Sequence, residues 1–370
     1  MALHVGIDAR LISGQLAGIG HYTYLLYKYL RESGQHKITL YDDDYFTGGG
    51  DFSRLRGRGL RKILYILWLN TRFPAQLKRD EVDLIHAPNF IPPLWGKPPS
   101  VATFMDLGFL RYPHTHHSLY AAAFPSLVNR AVDKARLIAV PSKSTRDEII
   151  HFYPRARNKI RVVYLAAEEA FKVLNDSALL DSVRAKHKLP ERFILCVGTM
   201  EPRKNLERFF NAFGMYLGRN PGSELRLVLC GKSWVRHGRF LEALRASGIG
   251  ERVIIAGYVA QDELAAIYNC ALALAFPTFY EGFGIPAVEA MQCGLPVISS
   301  EAFSLPEVLG GAAIYFNPFD PEAMASAIEK ITESDEERTR LREAGLERAK
   351  MFSWEKTAKE MEDVYTEALA

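Results

Sequence analysis

The sequence predicts an α/β protein with two doubly wound domains that face each other across a cleft. Short apolar runs, typical of buried parallel strands, alternate with helical patterns, and this alternation occurs twice along the chain. The 370 residues are enough for two domains, each with its own core. The two halves also differ in charge. Residues 1–172 contain 24 Lys and Arg and 15 Asp and Glu, whereas the remaining residues contain 22 Lys and Arg and 28 Asp and Glu. The basic half favours an anionic surface or substrate.

Composition places the chain among globular, cytoplasmic proteins. Hydrophobic residues make up 48% and charged residues 24%, and no apolar run approaches the roughly 20 residues that span a bilayer. The N-terminus runs directly into a strand and shows no signal peptide. The cysteine spacings fit no metal motif, so we expect reduced core residues. These cysteines are Cys196, Cys230, Cys270 and Cys293.

Six apolar runs predict the parallel strands of the first domain, residues 1–172. A helix is predicted to begin near His21, and others to cover Leu119–Lys134 and Thr145–Phe152, the last capped by Ser142 or Ser144. The predicted strands are Leu3–Ile7, Ile38–Tyr41, Val82–His86, Ser100–Phe104, Leu137–Ser142 and Ile160–Tyr164.

The segment 54–79 of the first domain is basic and apolar at once. It contains eight Lys and Arg and no Asp or Glu, interleaved with Leu, Ile, Tyr and Trp. One interpretation is an anionic-membrane contact with Trp68 at the interface. The other is a helix packed on the sheet, favoured because residues 63–69 are apolar nearly all round.

The second domain, residues 173–351, is predicted to repeat the strand–helix alternation, and residues 352–370 to form a terminal helix. An entry helix lies within Asn175–Leu189. The predicted strands are Phe193–Gly198, Leu225–Gly231, Val253–Gly257, Ala271–Phe276 and Pro296–Ser299. The other predicted helices are Leu206–Leu217, Glu263–Asn269, Asp320–Ile331 and Glu333–Met351.

The stretch 276–298 joins two of these strands through a loop and a helix. Pro286 suits the first turn of that helix, and Gly294 suits its end. Glu281 therefore lies in the loop before the helix, and Glu289 within its first turns. Both carboxylates can accept hydrogen bonds from hydroxyl groups.

The same loop is suited to a phosphate. Gly282 and Gly284 have no Cβ, so the main chain can approach a ligand closely. The helix start adds free N–H groups and the positive end of its dipole. A nucleotide-diphosphate sugar has the matching layout of ribose hydroxyls, diphosphate and sugar hydroxyls. The alternative is an ordinary strand–loop–helix unit with surface glutamates.

Two glutamates eight residues apart in Tyr-Glu-Gly-Phe-Gly-Ile-Pro-Ala-Val-Glu-Ala-Met, residues 280–291, resemble the signature of family 4 retaining glycosyltransferases. These enzymes have the GT-B fold of two Rossmann-like domains, with a terminal helix that crosses back to the first. The resemblance implies that Glu281 contacts the donor sugar and that Glu289 holds the ribose. N–H groups around Phe283, Gly284 and Ile285 would hold the diphosphate.

A second match lies at Gly198-Thr-Met-Glu-Pro-Arg-Lys-Asn205. Arg203 and Lys204, just before a helix start, form a cationic clamp suited to a diphosphate leaving group. The alternative is a pair of exposed cations on a loop. The resemblance adds Gly198 and Thr199 to the donor site, and it has Tyr258 and Val259 cradle the base.

In the first domain, Gly18-Ile-Gly20 stands at a helix start, and this pattern has three interpretations: a dinucleotide-binding fingerprint, a phosphate-binding loop or a simple turn. The resemblance places Gly18 and Gly20 near the donor phosphate and the acceptor.

The family commonly has His-Asp where this chain has Met105-Asp106, and a thioether can neither relay a proton nor donate to a hydroxyl. Asp106 remains a candidate catalytic residue. The histidines of 113–117 suit a surface or acceptor loop better than a metal site.

The resemblance to bacterial mannosyltransferase-like enzymes implies a metal-independent hexosyltransferase without a cofactor. We expect GDP-mannose as donor, with a UDP-sugar possible, and a glycan or lipid-linked saccharide as acceptor, at the inner face of the cell membrane. Nucleic acid is not an expected partner. The alternatives are a catalytically inactive nucleotide-sugar-binding protein, suggested by Met105, and a dehydrogenase, suggested by Gly18 and Gly20 alone.

Overall fold

The chain forms two compact units in a computed structural model, which describes residues 2–12, 18–42, 67–93, 98–111, 118–232 and 237–370. Unit 1 comprises Met1–Tyr164 and Trp354–Ala370, and unit 2 is Leu165–Ser353. The sequence placed this boundary a few residues later, after residue 172. Unit 1 is thus built from both ends of the chain, whereas unit 2 is continuous.

Unit 1 contains a parallel sheet in the order β2-β1-β3-β4-β5-β6. Most of its strands are buried along their whole length, which explains why they appear as unbroken apolar runs. The order reverses between β1 and β3. The strands are β1 His4–Asp8, β2 Lys37–Tyr41, β3 Leu84–Ala87, β4 Ser100–Thr103, β5 Leu137–Val140 and β6 Ile160–Val162.

Helices flank this sheet, and they include those predicted near His21, at Leu119–Lys134 and at Thr145–Phe152, whereas the short helix at Gly108–Arg111 was not predicted. Ser142, rather than Ser144, caps α5, since its Oγ accepts a hydrogen bond from the Thr145 N–H at 3.0 Å. Within the described part of unit 1, the first helices are α1 Ile19–Ser33, α2 Arg72–Arg79, α3 Gly108–Arg111, α4 Ser118–Lys134 and α5 Lys143–Phe152.

The described end of the basic segment, residues 67–79, packs into the core of unit 1. The Trp68 side chain is only 1% exposed and stacks on Phe73 with 4.6 Å between ring centroids. The interpretation that put Trp68 at a membrane interface is therefore wrong for this residue, because burial against Phe73 satisfies its apolar surface. Residues 54–66 and the histidines of 113–117 lie outside the described residues.

Unit 2 contains a second parallel sheet, in the order β12-β11-β10-β7-β8-β9, with its reversal between β7 and β10. The strands are β7 Phe193–Val197, β8 Arg226–Cys230, β9 Val253–Gly257, β10 Ala273–Phe276, β11 Val297–Ser300 and β12 Ala313–Phe316. The described helices are α6 Ser177–His187, α7 Leu206–Arg219, α8 His237–Ala246, α9 Gln261–Cys270, α10 Ile285–Gln292, α11 Leu305–Leu309, α12 Pro321–Glu333 and α13 Asp335–Ala349. The sequence did not predict β12, α8 or α11.

The terminal helix α14, Trp354–Leu369, is part of unit 1, as predicted. Its Trp354 ring stacks on Tyr29 of α1, with 6.3 Å between centroids. The Thr357 hydroxyl donates to the Tyr164 carbonyl oxygen at 2.7 Å, and the Tyr365 hydroxyl lies 2.8 Å from Nδ1 of His86. Both ends of the chain therefore complete one core.

Two further findings concern the chain as a whole. All four cysteines are buried free thiols, as predicted. Among the residues that the structure describes, no helix is both long enough and apolar enough to cross a membrane.

Candidate functional site

Most of the predicted site residues of unit 2 lie at the carboxyl ends of its strands, near the reversal between β7 and β10. Ligands of open α/β sheets bind at this position, because loops diverge there in opposite directions. A pocket opens at this point, and Gly198, Lys204, Phe276 and Thr278 are part of its lining. Lys204 of the predicted clamp therefore lines a concavity.

The turn that carries the two cations is held rigidly. Pro202–Lys204 form a single 3₁₀ turn, which ends at Asn205 in the left-handed conformation with φ +58°. The buried Asn205 amide donates to the carbonyl oxygens of Pro277 at 3.0 Å and Pro318 at 2.7 Å. An Asn tolerates this backbone better than most residues, and its side chain ties the turn to the loop after β10.

The backbone of Arg203 is tied to the same loop. Its carbonyl oxygen accepts from the Thr278 hydroxyl at 3.0 Å and from the Phe279 N–H at 2.9 Å. The cationic turn and the loop that contains Glu281 therefore form one packed structure.

Both cations converge on the Glu281 carboxylate. Lys204 Nζ lies 2.5 Å, and Arg203 Nη1 2.8 Å, from Glu281 Oε1. The Thr278 hydroxyl oxygen lies 3.2 Å from the same carboxylate oxygen, and Arg203 Nη2 pairs with Glu201 at 2.5 Å. These four charged side chains are at most one-quarter exposed, so their interactions are only weakly screened by solvent.

Glu281 is ionised in this arrangement. Burial by itself raises the pKa of its carboxyl group, but the charges of Lys204 and Arg203 outweigh burial and lower that pKa to about 2. Glu281 therefore carries a negative charge beside two positive charges.

Two glycines permit the close backbone packing around the site. Gly231, after β8, has φ +148°, and a Cβ there would lie 1.9 Å from the Gly198 carbonyl oxygen. Gly284 has φ +100°, and a Cβ there would lie 2.8 Å from a Leu305 methyl group. At Gly231 the backbone contact leaves no room for a side chain, and at Gly284 the positive φ favours glycine.

The start of α10 completes this edge of the sheet. Gly284 precedes the helix, and Pro286 occupies its first turn, as predicted. The Ser304 hydroxyl donates to the Glu281 carbonyl oxygen at 2.6 Å and lies 3.2 Å from that of Phe283, which fixes the loop 281–284. Glu289 points from the helix into a buried environment, where the Tyr268 hydroxyl donates to its Oε2 at 2.7 Å.

The predicted base loop follows β9. Tyr258 is 55% exposed, and Lys232 Nζ lies 5.0 Å from its ring centroid, whereas Val259 is buried. The Gly231 N–H donates to the Gly257 carbonyl oxygen at 2.7 Å. The ends of β7, β8 and β9 therefore stand side by side, with an aromatic ring open to solvent at the last of them.

The remaining predicted residues, Gly18, Gly20 and Asp106, lie in unit 1. Gly18 precedes α1 with φ +53°, and Gly20 is buried in the first turn of that helix. Asp106 follows β4, and its carboxylate accepts a hydrogen bond from the N–H of Gly108, the first residue of α3, at 2.8 Å. A contact at 3.2 Å between the hydroxyls of Tyr22 and Thr103 links α1 to the end of β4.

Sequence reasoning missed several residues that build the site. Asn205 and Glu201 stood inside the matched motif of residues 198–205, but the sequence analysis assigned them no role. The contributions of Thr278 and Tyr268 depend on contacts between distant parts of the chain, which no local pattern reports. No group of three or more His, Cys, Asp or Glu side chains suited to a metal occurs among the described residues.

Comparison with known proteins connects this geometry to enzymes. The family model "Glycosyltransferase Family 4" matches residues 16–169, and "Glycosyl transferases group 1" matches residues 181–348. The O-antigen chain mannosyltransferase B of Escherichia coli is 32% identical over 290 residues, which are 78% of this chain and 75% of that protein.

Other relatives match over shorter ranges. The serotype-specific mannosyltransferase WbdA of Escherichia coli is 32% identical over 229 residues, 61% of this chain and 28% of that protein. The D-inositol 3-phosphate glycosyltransferase of Corynebacterium glutamicum (strain R) is 30% identical over 251 residues, 65% of this chain and 59% of that protein. This chain thus corresponds to a little over a quarter of WbdA.

Solved structures share the fold over the whole chain. Sucrose-phosphate synthase from Thermosynechococcus elongatus has a TM-score of 0.79 at 20% identity and covers 99% of this chain and 98% of its own. Anabaena Alr3699/HepE in complex with UDP and glucose has a TM-score of 0.73 at 16% identity and covers 99% and 100%. At these identities the likeness shows the fold alone, and with the two six-stranded parallel sheets it confirms the predicted GT-B architecture.

Proposed function

Because this chain belongs to family 4 of the glycosyltransferases, we propose that it is a retaining enzyme that moves a hexose from a nucleotide-diphosphate sugar to a glycan or lipid-linked saccharide. Mannose is the preferred hexose, since the relatives that are 32% identical are named mannosyltransferases. GDP-mannose is accordingly the preferred donor, and a UDP-sugar is the second candidate. A lipid-linked acceptor would place the reaction at the inner face of the cell membrane.

The observation that carries this proposal is the convergence of Arg203 and Lys204 beside the start of α10. The departing nucleoside diphosphate gains negative charge as its bond to the sugar breaks. Two cations and helix N–H groups stabilise such charge, which is the main electrostatic requirement of the reaction. A metal is not needed for this role, so the proposed reaction is metal-independent.

The other unit 2 residues contact the remaining parts of the donor in this proposal. Glu281 accepts hydrogen bonds from sugar hydroxyls, and Glu289 accepts them from the ribose. The exposed Tyr258 lies beside the base. The donor-binding backbone comprises Gly198, Thr199, Val259, Gly282, Phe283, Gly284 and Ile285. Unit 1 takes the acceptor, with Gly18 and Gly20 near both the donor phosphate and the acceptor and Asp106 as a candidate catalytic residue.

The chemical step is a substitution at the anomeric carbon with retention. An acceptor hydroxyl attacks from the face that the diphosphate leaves, and the new glycosidic bond replaces the bond between the anomeric carbon and the phosphate oxygen. The hydroxyl proton passes to an oxygen of the departing diphosphate. Arg203 and Lys204 hold that group on the same face throughout.

A second candidate function is donor binding without transfer, and Met105 is the observation that favours it. The family commonly has a histidine at this position, and a thioether cannot replace its hydrogen bonds. This candidate predicts tight nucleotide binding and no product with any acceptor.

Thermal stabilisation by a ligand panel tests the proposal. A ligand that binds only the folded state raises the melting temperature by mass action, so GDP or UDP, and the corresponding sugar nucleotide, should stabilise the protein while NAD should not. Arg203→Ala should abolish the shift. Arg219→Ala, which removes an equal charge from a surface pair in the same unit, is the matched control and should keep it. The proposal is wrong if no nucleoside diphosphate stabilises the wild type.

A transfer assay separates the two candidate functions. GDP-mannose labelled in the sugar is incubated with lipid-linked saccharides and with water alone, the products are resolved by mass spectrometry, and the anomeric configuration of the new bond is determined by NMR. Transfer with an unchanged anomeric configuration supports the retaining enzyme. Binding without transfer or hydrolysis supports the binding protein.

A further inference from the structure

We propose that Tyr268 is a positioning residue that sets the orientation of the Glu289 carboxylate, and through it the recognition of the donor ribose. This inference rests on the proposed function, in which Glu289 binds the ribose hydroxyls. It concerns a residue outside the loop and helix that contain both glutamates, because Tyr268 lies in α9, which precedes β10 in the chain.

The contact is direct and shielded from water. Tyr268 is 0% exposed, and its hydroxyl lies 2.7 Å from Glu289 Oε2 and 3.2 Å from the Pro286 carbonyl oxygen. A phenol has a single proton, and an ionised carboxylate is a stronger acceptor than a carbonyl group. The proton is therefore directed at Glu289. The hydroxyl lies between two groups that are one turn of α10 apart, the Pro286 carbonyl and the Glu289 carboxylate.

The ring of Tyr268 is itself locked in place. Phe171 packs edge-to-face against it, with 5.6 Å between centroids and an interplanar angle of 89°. The neighbouring Asn269 side chain donates to the Lys172 carbonyl oxygen and accepts from the Leu174 N–H, both at 2.9 Å. The segment 171–174 thus fixes the end of α9, and the phenol cannot turn away from Glu289 without breaking these contacts.

With one oxygen of Glu289 fixed by Tyr268, the carboxylate is held in an orientation that can recognise a ligand with two adjacent hydroxyls. A carboxylate has two oxygens and about four acceptor sites, so donation by Tyr268 to Oε2 still leaves acceptor capacity for a ribose. Without the phenol, the terminal torsion of the glutamate has a broad energy profile, and the carboxylate plane is less well defined. Recognition of a diol requires a carboxylate held within a few tenths of an ångström, which the hydroxyl of Tyr268 provides.

Substitution of Tyr268 by Phe tests this inference, because it removes the hydroxyl and keeps the ring. The affinities of GDP, 2′-deoxy-GDP and 3′-deoxy-GDP are measured by calorimetry on the full chain, together with the corresponding uridine nucleotides. The wild type should prefer the complete ribose. Tyr268→Phe should reduce that preference by about tenfold, the scale of one lost hydrogen bond to a charged group. Deoxynucleotides should bind the variant and the wild type nearly alike.

Two further variants make the result specific. Tyr315→Phe removes a hydrogen bond of equal length, 2.7 Å to the Gly310 carbonyl oxygen, and should leave the ribose preference unchanged. Glu289→Gln should lose the preference, and adding Tyr268→Phe to it should have little further effect, because both changes act on one contact. If Tyr268→Phe does not fold, Phe171→Leu loosens the ring and tests the same effect at smaller amplitude.

The outcomes separate this inference from the proposed function. If Glu289→Gln loses the ribose preference but Tyr268→Phe keeps it, the hydroxyl has only a structural role and the inference is overturned. If Glu289→Gln also keeps the preference, the assignment of Glu289 to the ribose is wrong, and the inference fails with it. If no nucleoside diphosphate binds the wild type, the proposed function itself fails.

Discussion

At the level of single residues, Glu281 has two opposed roles: it neutralises two cations, and in the proposed function it orients the sugar. In the structure its carboxylate neutralises Arg203 and Lys204 at 2.8 and 2.5 Å. In the proposed function, a bound diphosphate interacts with the same two cations. The carboxylate therefore competes with the diphosphate, even though the proposed reaction uses it to orient the sugar.

The substitution Glu281→Gln should consequently increase the affinity for free GDP or UDP, by about three- to tenfold, because it removes a negative charge next to the diphosphate. Transfer of the sugar should fall by at least about a hundredfold. Calorimetry and the transfer assay measure the two effects. Glu337→Gln, which also removes a carboxylate paired with two cations in unit 2, should change neither. Weaker binding of free GDP by Glu281→Gln would contradict this account.

Gly231 makes a sharper structural prediction. Gly231→Ala would place a Cβ 1.9 Å from the Gly198 carbonyl oxygen at φ +148°, and backbone atoms cannot move aside cheaply. We expect a loss of several kcal/mol in the free energy of unfolding, or no folded protein. Gly218→Ala in α7 is the control, since a Cβ there meets nothing within 4 Å and alanine favours a helix by about 1 kcal/mol. Urea unfolding followed by circular dichroism should separate the two variants.

At the level of elements, the terminal helix is joined to the first sheet through a buried histidine. His86 at the end of β3 is 0% exposed, with Tyr365 of α14 at 2.8 Å from Nδ1 and Thr103 at 2.7 Å from Nε2. Burial lowers the pKa of His86 to about 3. The imidazole is therefore neutral in the folded protein and joins two elements far apart in the chain.

This histidine makes stability depend on pH. The unfolded chain takes up a proton at His86 below about pH 6.5, and the folded chain does so only near pH 3. The stability contributed by the neutral imidazole is therefore fully present above pH 6.5 and is lost as pH falls towards 3, at about 1.4 kcal/mol per pH unit.

His86→Gln should lower the number of protons taken up on unfolding by about one between about pH 6 and 4, and so make the free energy of unfolding less dependent on pH there. Urea unfolding curves measured across this range give the slope for the variant and the wild type. His151→Gln, at an exposed position of α5, should retain the slope of the wild type. Equal slopes for His86→Gln and the wild type would show that the buried imidazole does not act in this way.

For the whole molecule, the discontinuity of unit 1 predicts how fragments behave. Unit 2 is continuous and has its own sheet and core, so residues 165–353 should fold alone. Residues 1–164 lack α14, whose Trp354, Met361 and Tyr365 are at most 3% exposed. That fragment should expose an apolar surface and fail to unfold cooperatively.

Joining residue 164 to residue 354 by a short Gly-Ser linker should restore the first unit, because Thr357 hydrogen-bonds to the Tyr164 carbonyl and so lies close to it. Thermal unfolding followed by circular dichroism compares the three fragments. A cooperative transition for residues 1–164 alone, equal to that of the linked fragment, would contradict the role assigned to α14.

Most strands were predictable because burial on both faces of a parallel sheet leaves uninterrupted apolar runs in the sequence. Strand β12 was not, since Ala313–Phe316 is short and stands between glycines and a proline. It becomes a strand only through its register with β11, in which Val297 pairs with Ala313. The choice of Ser142 over Ser144 as the cap of α5 likewise required the observed hydrogen bond.

By itself, the sequence determined the two-domain α/β architecture, the loop and helix around Glu281 and Glu289, and the cationic turn, because periodicity and motif spacing are local properties of the chain. Tertiary structure alone decided which groups meet. Lys204 and Glu281 are 77 residues apart along the chain, Tyr268 and Glu289 are 21 apart, and His86 and Tyr365 are 279 apart. Such contacts depend on how strands order themselves in a sheet and how helices pack upon it, which local patterns do not contain.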